Sequence, residues 1–151
     1  MDLPQLLQQV RITVIAEALQ GLSRAALPHY SSSDTEQNRE RLARLYDLNQ
    51  ECVQKRTLLP IVEYARAIAR ERYEGGFGFL EVHTAFNALE EVIWRTITDR
   101  LEPHQYPEAL GLTSTVLGAG KQALAVEWVS LASQNKEVQS LDLSALFRGT
   151  T

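Results

Sequence analysis

Apolar residues recur along this chain every three or four positions, the spacing of a helix face. Leu3, Leu6, Leu7, Val10 and Val14 make one stripe, which Ile15, Ala18, Leu19 and Leu22 continue with a slight rotation. They predict a first helix over about Pro4 to Leu22, bracketed at its end by Gly21 and Pro28. Ile12 falls off the stripe and predicts contact with a second neighbour. A loop at His29-Tyr30-Ser31-Ser32 follows, and Ser33 and Glu36 have capping-box spacing. The second helix is expected from Asp34 to about Arg56, with Leu42, Leu45, Tyr46, Asn49, Cys52 and Val53 inward. Glu36, Arg39, Glu40, Arg41, Arg44 and Glu51 read as its solvated face, where each ion pair is worth a few tenths of a kcal/mol, roughly.

A third helix is expected over about Leu58 to Glu74, with Thr57 as its cap and Pro60 in its first turn. Ile61, Val62, Ala65, Ile68 and Ala69 form its core stripe. Arg72 stands at its C-terminal end, where a cation suits the helix dipole. Gly75-Gly76-Phe77-Gly78 stops it, because glycine reaches the left-handed conformation without steric cost. The fourth helix, about Phe79 to Leu101, carries Val82, Phe86, Leu89, Ile93 and Ile97 on one face, flanked by Trp94. Pro103 and Pro107 mark the next connection.

The fifth helix begins at about Pro107 or Leu112 and is expected to reach Ser133. From Leu112 to Ser133 its only charges are Lys121 and Glu127. Leu117, Leu124, Trp128 and Leu131 form a large-residue stripe. Ala119, Ala123, Val126 and Ser130 form a second, small-residue one and are the candidate interface. The glycines of Gly118-Ala119-Gly120 read as permitting close helix approach. A helix apolar on most faces is covered on most faces; this one is either central in the bundle or the seam of a dimer. The expected fold is therefore all-α: a single compact bundle of about five helices over residues 1–134, with a globin-like arrangement among those that fit, forming a homodimer. Residues 135–151 read as a C-terminal tail with a short amphipathic piece, Leu141, Leu143, Leu146 and Phe147.

Composition narrows the function. The chain has 151 residues, 44% apolar and 23% charged, with a net charge of −4, and a pI of about 5.4. That size suits one domain with one core. The acidic balance argues against a nucleic-acid binder, which needs a basic face, and the Arg66, Arg70, Arg72 cluster is offset by Glu63, Glu71 and Glu74. A lone cysteine, Cys52, excludes an internal disulfide and fits a reducing compartment. The start Met1-Asp2-Leu3-Pro4 lacks a secretory signal's basic region. Each charge within the apolar fifth helix would cost roughly 2.5–3.5 kcal/mol at a membrane centre. The expectation is a cytoplasmic protein without membrane or nucleic-acid partners.

Catalytic chemistry finds no foothold. His29, His83 and His104 are far apart and lack a carboxylate or second histidine at metal-ligand spacing. Cys52 sits at an apolar helical position, as an inert thiol does. Neither glycine cluster follows a strand or ends as a phosphate loop. No enzyme, metal or resident cofactor is expected. Phe79, His83, Phe86, Trp94 and Trp128 are the candidate lining of a pocket, which would make the domain a sensor of an apolar ligand or of haem held by His83. The same residues also read as plain core.

The run Arg72-x-x-x-Gly76-Phe77-x-x-x-Glu81-Val82, followed by Phe86, Leu89, Ile93 and Trp94, resembles the N-terminal sensory domain of stressosome RsbR-type proteins, the RsbRD-N family. Leu59-Pro60-Ile61-Val62 and the Ala65 to Arg72 run agree with it, so the resemblance covers about Leu42 to Leu101. It implies a stress-response signal-transduction module of the kind that precedes kinase or STAS output domains. No such domain lies before Thr151, so output is expected through dimerisation, through a separate STAS, kinase or phosphatase partner, or through a domain outside this segment. The motif also has a direct physical reading: Gly76 permits the turn, Phe77 plugs the space between two helices, and Arg72 caps the last carbonyls or pairs with Glu81. Gly76→Val is predicted to destabilise the fold by at least about 1 kcal/mol; an unchanged melting temperature would count against this reading of the turn.

Overall fold

The computed structural model describes residues 1–25 and 35–147, the side chains of 136–147 excepted. The described residues form an all-α bundle: α1 (Leu3–Arg24), α2 (Thr35–Lys55), α3 (Leu59–Glu74), α4 (Phe79–Arg100), a single 3₁₀ turn (Pro103–Gln105) and α5 (Tyr106–Phe147). Helix α1 packs on α2 and α4, while α5 packs on α3, α4 and α2. The fifth helix thus packs against three of the other four. None of the described helices is long and apolar enough to cross a membrane.

The ends of the helices have identifiable local causes. Asp2 caps α1: its carboxylate accepts from Gln5 N–H at 3.0 Å, and the Gln5 side chain accepts from Asp2 N–H at 2.9 Å, a reciprocal box that satisfies two orphan donors. Helix α3 closes in a full Schellman motif. Gly76 is left-handed at φ +83°, Phe77 N–H donates to Arg72 C=O at 3.0 Å and Gly76 N–H to Tyr73 C=O at 3.2 Å. Helix α2 closes in a similar way on a residue with a Cβ. Arg56 has φ +55°, and Thr57 N–H donates to Cys52 C=O. This corrects the expected role of Thr57. Its N–H closes α2, and α3 starts instead from Leu58, without a side-chain cap.

The core holds the predicted stripes. Leu6, Leu7, Val14 and Leu22 of α1, Leu42 and Tyr46 of α2, Ile61 of α3, Phe86, Leu89, Ile93 and Ile97 of α4, and Leu117 and Leu124 of α5 are all buried. Tyr46 locks α1 to α2, donating its Oη–H to Leu7 C=O at 2.7 Å. Ile12, expected to meet a second neighbour, is instead 79% exposed: α1 meets both neighbours through the two edges of one stripe. Helix α5 continues past the expected end at Ser133 to Phe147, about 63 Å in all at 1.5 Å per residue. The proposed junction at 134/135 falls within this continuous helix. Ser33 and the loop from His29 lie outside the described residues, as do the side chains of Leu141, Leu143, Leu146 and Phe147.

The two glycines of Gly118-Ala119-Gly120 have opposite surroundings. A Cβ at Gly120 would stand 3.0 Å from Phe86 Cε1 and 3.2 Å from Ile61 Cγ1, whereas a Cβ at Gly118 would meet nothing within 4 Å. Within the bundle, only Gly120 therefore permits close approach. Asn49 is a second special position: it is fully buried, and neither its Nδ2 nor its Oδ1 has a hydrogen-bond partner. An unmade bond at such a site costs about 1–3 kcal/mol.

Both positions yield expected outcomes. Within a single protomer, Gly118→Ala should raise stability by roughly 0.5–1 kcal/mol through helix propensity. Gly120→Ala should lose that gain to the clash and melt below it; equal melting temperatures for the two variants would contradict the packing described. Asn49→Leu should raise the urea midpoint by an amount corresponding to about 1 kcal/mol or more, and a lowered midpoint would show that the amide is satisfied in solution.

Candidate functional site

Three groups of residues carry the candidate chemistry, and the fold treats each differently. The first is the α3–α4 turn. Arg72 is 4% exposed and donates from Nη1 to Glu71 Oε1 at 2.6 Å. The expected Arg72–Glu81 pair does not form. Glu81, in the first turn of α4, points its carboxylate back at the turn and accepts from Gly78 N–H at 3.1 Å, which leaves Arg72 to its chain neighbour. Arg72 also lies over the Phe77 ring, its Cζ 5.3 Å from the centroid. Arg41 of α2 approaches the same ring, at 5.8 Å. Sequence reasoning placed Arg41 on the solvated face, but it is half-buried because Phe77 comes up against that side of α2.

Beneath the turn, α1, α2, α3 and α4 line a half-open pocket of about 30 Å³. Arg72, Arg41 and Asn38 bring polar groups to it, Tyr64 its ring, and Leu22, Leu42, Leu45, Ile68, Val82, Ala85 and Phe86 the apolar remainder. Asn38 is itself 4% exposed, and Arg41 Nη1 reaches its Oδ1 at 3.4 Å. Asn38 and Arg41 were not legible as site residues, because on α2 alone they look like ordinary polar positions.

The second group is the aromatic set proposed as a pocket lining. Phe79 stacks on His83 at 5.3 Å between ring centroids and meets Trp128 edge-on at 5.9 Å. Tyr73, which the sequence did not single out, completes the group at 5.5 Å from Trp128, and Asn135 hydrogen-bonds its hydroxyl. Phe86 points into the core instead, 2% exposed, while Trp94 is 42% exposed on the outer side of α4. The five residues thus divide into a packed trio, a core phenyl and a surface indole. His83 Nδ1 lies 3.1 Å from Asn87 Nδ2. Asn87 Oδ1 in turn accepts from Lys121 Nζ at 2.9 Å, and Lys121 pairs with Glu90. Partial burial, reinforced by the Lys121 charge and opposed by Glu90, holds the His83 pKa below the usual histidine value.

The third group is the small-residue stripe on α5. Ala123 is buried within the bundle and Ala119 is half-buried, while Val126 is 64% exposed and Ser130 exposed. The stripe crosses the boundary between bundle and solvent rather than forming one free face. The uncovered side of α5 is the one carrying Gly111, Gly118, Val126 and Val129. From Tyr106 to Asn135 the helix has three charges, and each is turned toward another helix: Glu108 to Arg56 of α2, Lys121 to Glu90 of α4, and Glu127 to Arg70 of α3.

Burial pushes the Cys52 thiol above its ordinary value, the opposite of what a nucleophile needs. Among the described residues no three His, Cys, Asp or Glu side chains gather to hold a metal ion. A groove of about 480 Å³ lies at the other end of the bundle between Asp2, Arg56, His104 and Glu108.

The His83 setting fixes a pH dependence. A histidine whose folded pKa lies below its unfolded value binds its proton more readily when unfolded, so it lowers stability as pH falls through the unfolded value near 6.5. The loss is complete once pH is below the folded pKa. His83→Gln should flatten this part of the stability profile below about pH 6.5, measured by urea unfolding across pH; an unaltered slope would remove His83 from the account. Comparison of the chain with protein-family models, with curated proteins and with solved structures finds no match.

Proposed function

We propose that this chain is a non-catalytic regulatory or sensory module that acts as a homodimer and through contact with a signalling partner. One observation carries the dimer: the solvent side of α5 has no charge from Gly111 to Asn135, because all of its ionic groups are spent on α2, α3 and α4. Val126 and Val129 are more than 60% exposed there, and a side chain added at Gly118 would meet open space. Surface helices ordinarily carry charge on the solvent side, and an uncharged face with open glycines suits the backbone of a second helix. The interface is therefore centred on Gly118, Val126 and Val129, with Ser130 at its margin and Ala119 and Ala123 committed mainly to the bundle.

The signalling role rests on the likeness of Arg72, Gly76, Phe77 and Glu81 to the RsbRD-N pattern, which points to a STAS, kinase or phosphatase as the output partner in a stress response. The haem or apolar-ligand alternative gains no support at the aromatic group, where Phe79, His83 and Trp128 pack on one another.

Size-exclusion chromatography with light scattering tests the dimer. The wild-type chain should elute at twice its mass, and Val126→Glu/Val129→Glu should elute as a monomer with its helical circular dichroism unchanged, since neither side chain is in the core. A wild-type monomer at the highest attainable concentration would sink the proposal, as would a double variant that remains dimeric.

A further inference from the structure

Half of the large apolar side chains exposed among the described residues stand together on one side of the α4–α5 pair. Two of them are Val126 and Val129 of α5. The others are Leu80 and Trp94 of α4, 67% and 42% exposed. Leu80, Asn87 and Trp94 follow one another at intervals of seven residues, so they share one face of their helix. Asn87 shows which way that face points: its Oδ1 accepts from Lys121 Nζ of α5 at 2.9 Å.

Two contacts set the level of α4 against α5. A Cβ at Gly120 would lie 3.0 Å from Phe86 Cε1, and Tyr106 Oη–H donates to Thr98 C=O at 2.7 Å, so the two helices run antiparallel. Eight residues on from Phe86, Trp94 stands level with Leu112, eight residues back from Gly120. The indole is therefore beside the stretch of α5 from Gly111 to Gly118, where a Cβ at either glycine would meet nothing within 4 Å. By the same count Leu80 stands level with Val126. The ion pair that crosses this side, Lys121 with Glu90, is half-buried and cancels its own charge.

One patch thus carries both an apolar ridge, Trp94, and an apolar gap, the two open glycines. Such a patch can pair with itself about a twofold axis, because the ridge of each copy meets the gap of the other. The chain carries a net charge of −4, so two copies repel except where both surfaces are neutral, as they are on this side. We infer that α4 completes the dimer interface: Trp94 of each protomer seats on the α5 helix of the other at Gly111 and Gly118, and Leu80 extends the contact. This rests on the dimer proposed above and gives it an anchor. A large, rigid aromatic side chain set where the facing helix has no side chains is the form that interface hot spots take.

Sedimentation velocity of the full chain over a concentration series reads the dimer constant, and tryptophan emission reads the burial of Trp94. Trp94→Ala should raise the dissociation constant at least about tenfold, as the loss of a hot spot does, and Leu80→Ala should raise it by a smaller factor. Ile12→Ala, which removes an exposed aliphatic side chain from α1, should leave it unchanged. All three side chains lie outside the core, so the helical circular dichroism should hold. The difference in emission between the wild type and Trp94→Phe isolates the Trp94 indole from that of buried Trp128. It should move to shorter wavelength as the dimer forms. A wild-type chain that stays monomeric at every concentration overturns the dimer, and the anchor with it. A dimer whose constant is unmoved by Trp94→Ala overturns the anchor alone. So does a Trp94 emission that stays that of an exposed indole, or an Ile12→Ala variant that dissociates as readily as Trp94→Ala.

Discussion

The contact on which the bundle depends is the approach of Ile61 and Phe86 to the backbone of α5 at Gly120. These side chains come from α3 and α4, and both reach within about 3 Å of where a Cβ would stand. Close packing of this kind leaves no slack for a methyl group. It fixes the depth at which α5 lies between its neighbours, and so fixes which residues of α5 are inside. Leu117, Leu124 and Trp128 are buried as a consequence, and the three ionic residues of the described part of the helix lie at its edges, each beside an opposite charge on a different helix. These pairs add little stability at the surface. Their effect is to turn the charge of α5 toward the bundle and to leave its solvent side neutral.

The turn between α3 and α4 works by a different constraint. The spacing Arg72-x-x-x-Gly76-Phe77 is that of a Schellman motif, in which the residue after the left-handed glycine packs against the residue four places before that glycine. Phe77 and Arg72 meet for this reason. The contact draws a cation beneath the turn, and the crossing of α2 brings Arg41 to the other side of the same ring. A helix stop that needs only local geometry thus places two cations beside one half-open pocket, because two further helices pack against it. The buried amide of Asn49 belongs to the same α2 stripe, two turns further on. Polar groups within this helix's inner face are therefore a feature of the protein at more than one point.

Much of this was legible in the sequence for physical reasons. The stripes on α1, α3 and α4 are apolar at helical spacing, and burial follows the stripe wherever one face meets the core. The glycine at position 76 announced its positive φ, since few other residues adopt it. The pocket set was less legible. Phe79, His83 and Trp128 come together, but Phe86 and Trp94 lie on other sides of α4, and Tyr73 joins from α3. Spacing along one helix says which side chains share a face. It does not say what stands opposite. Arg41 shows the same limit: it looked like a solvent residue until Phe77 arrived from another part of the chain.

The sequence by itself determined the helical class, the near position of the helix ends other than the C-terminal end of α5, and the left-handed stop at Gly76. All of these depend on interactions within a few residues, so local pattern suffices. The tertiary structure decided what depends on distance between helices. It separated Gly120, against Ile61 and Phe86, from Gly118, which faces open space two residues earlier. It gave Arg72 an exposed partner in Glu71 instead of Glu81, and it left the amide of Asn49 without a bond. In each case the deciding quantity is a contact of a few ångströms across the bundle, which residue order does not encode one helix at a time.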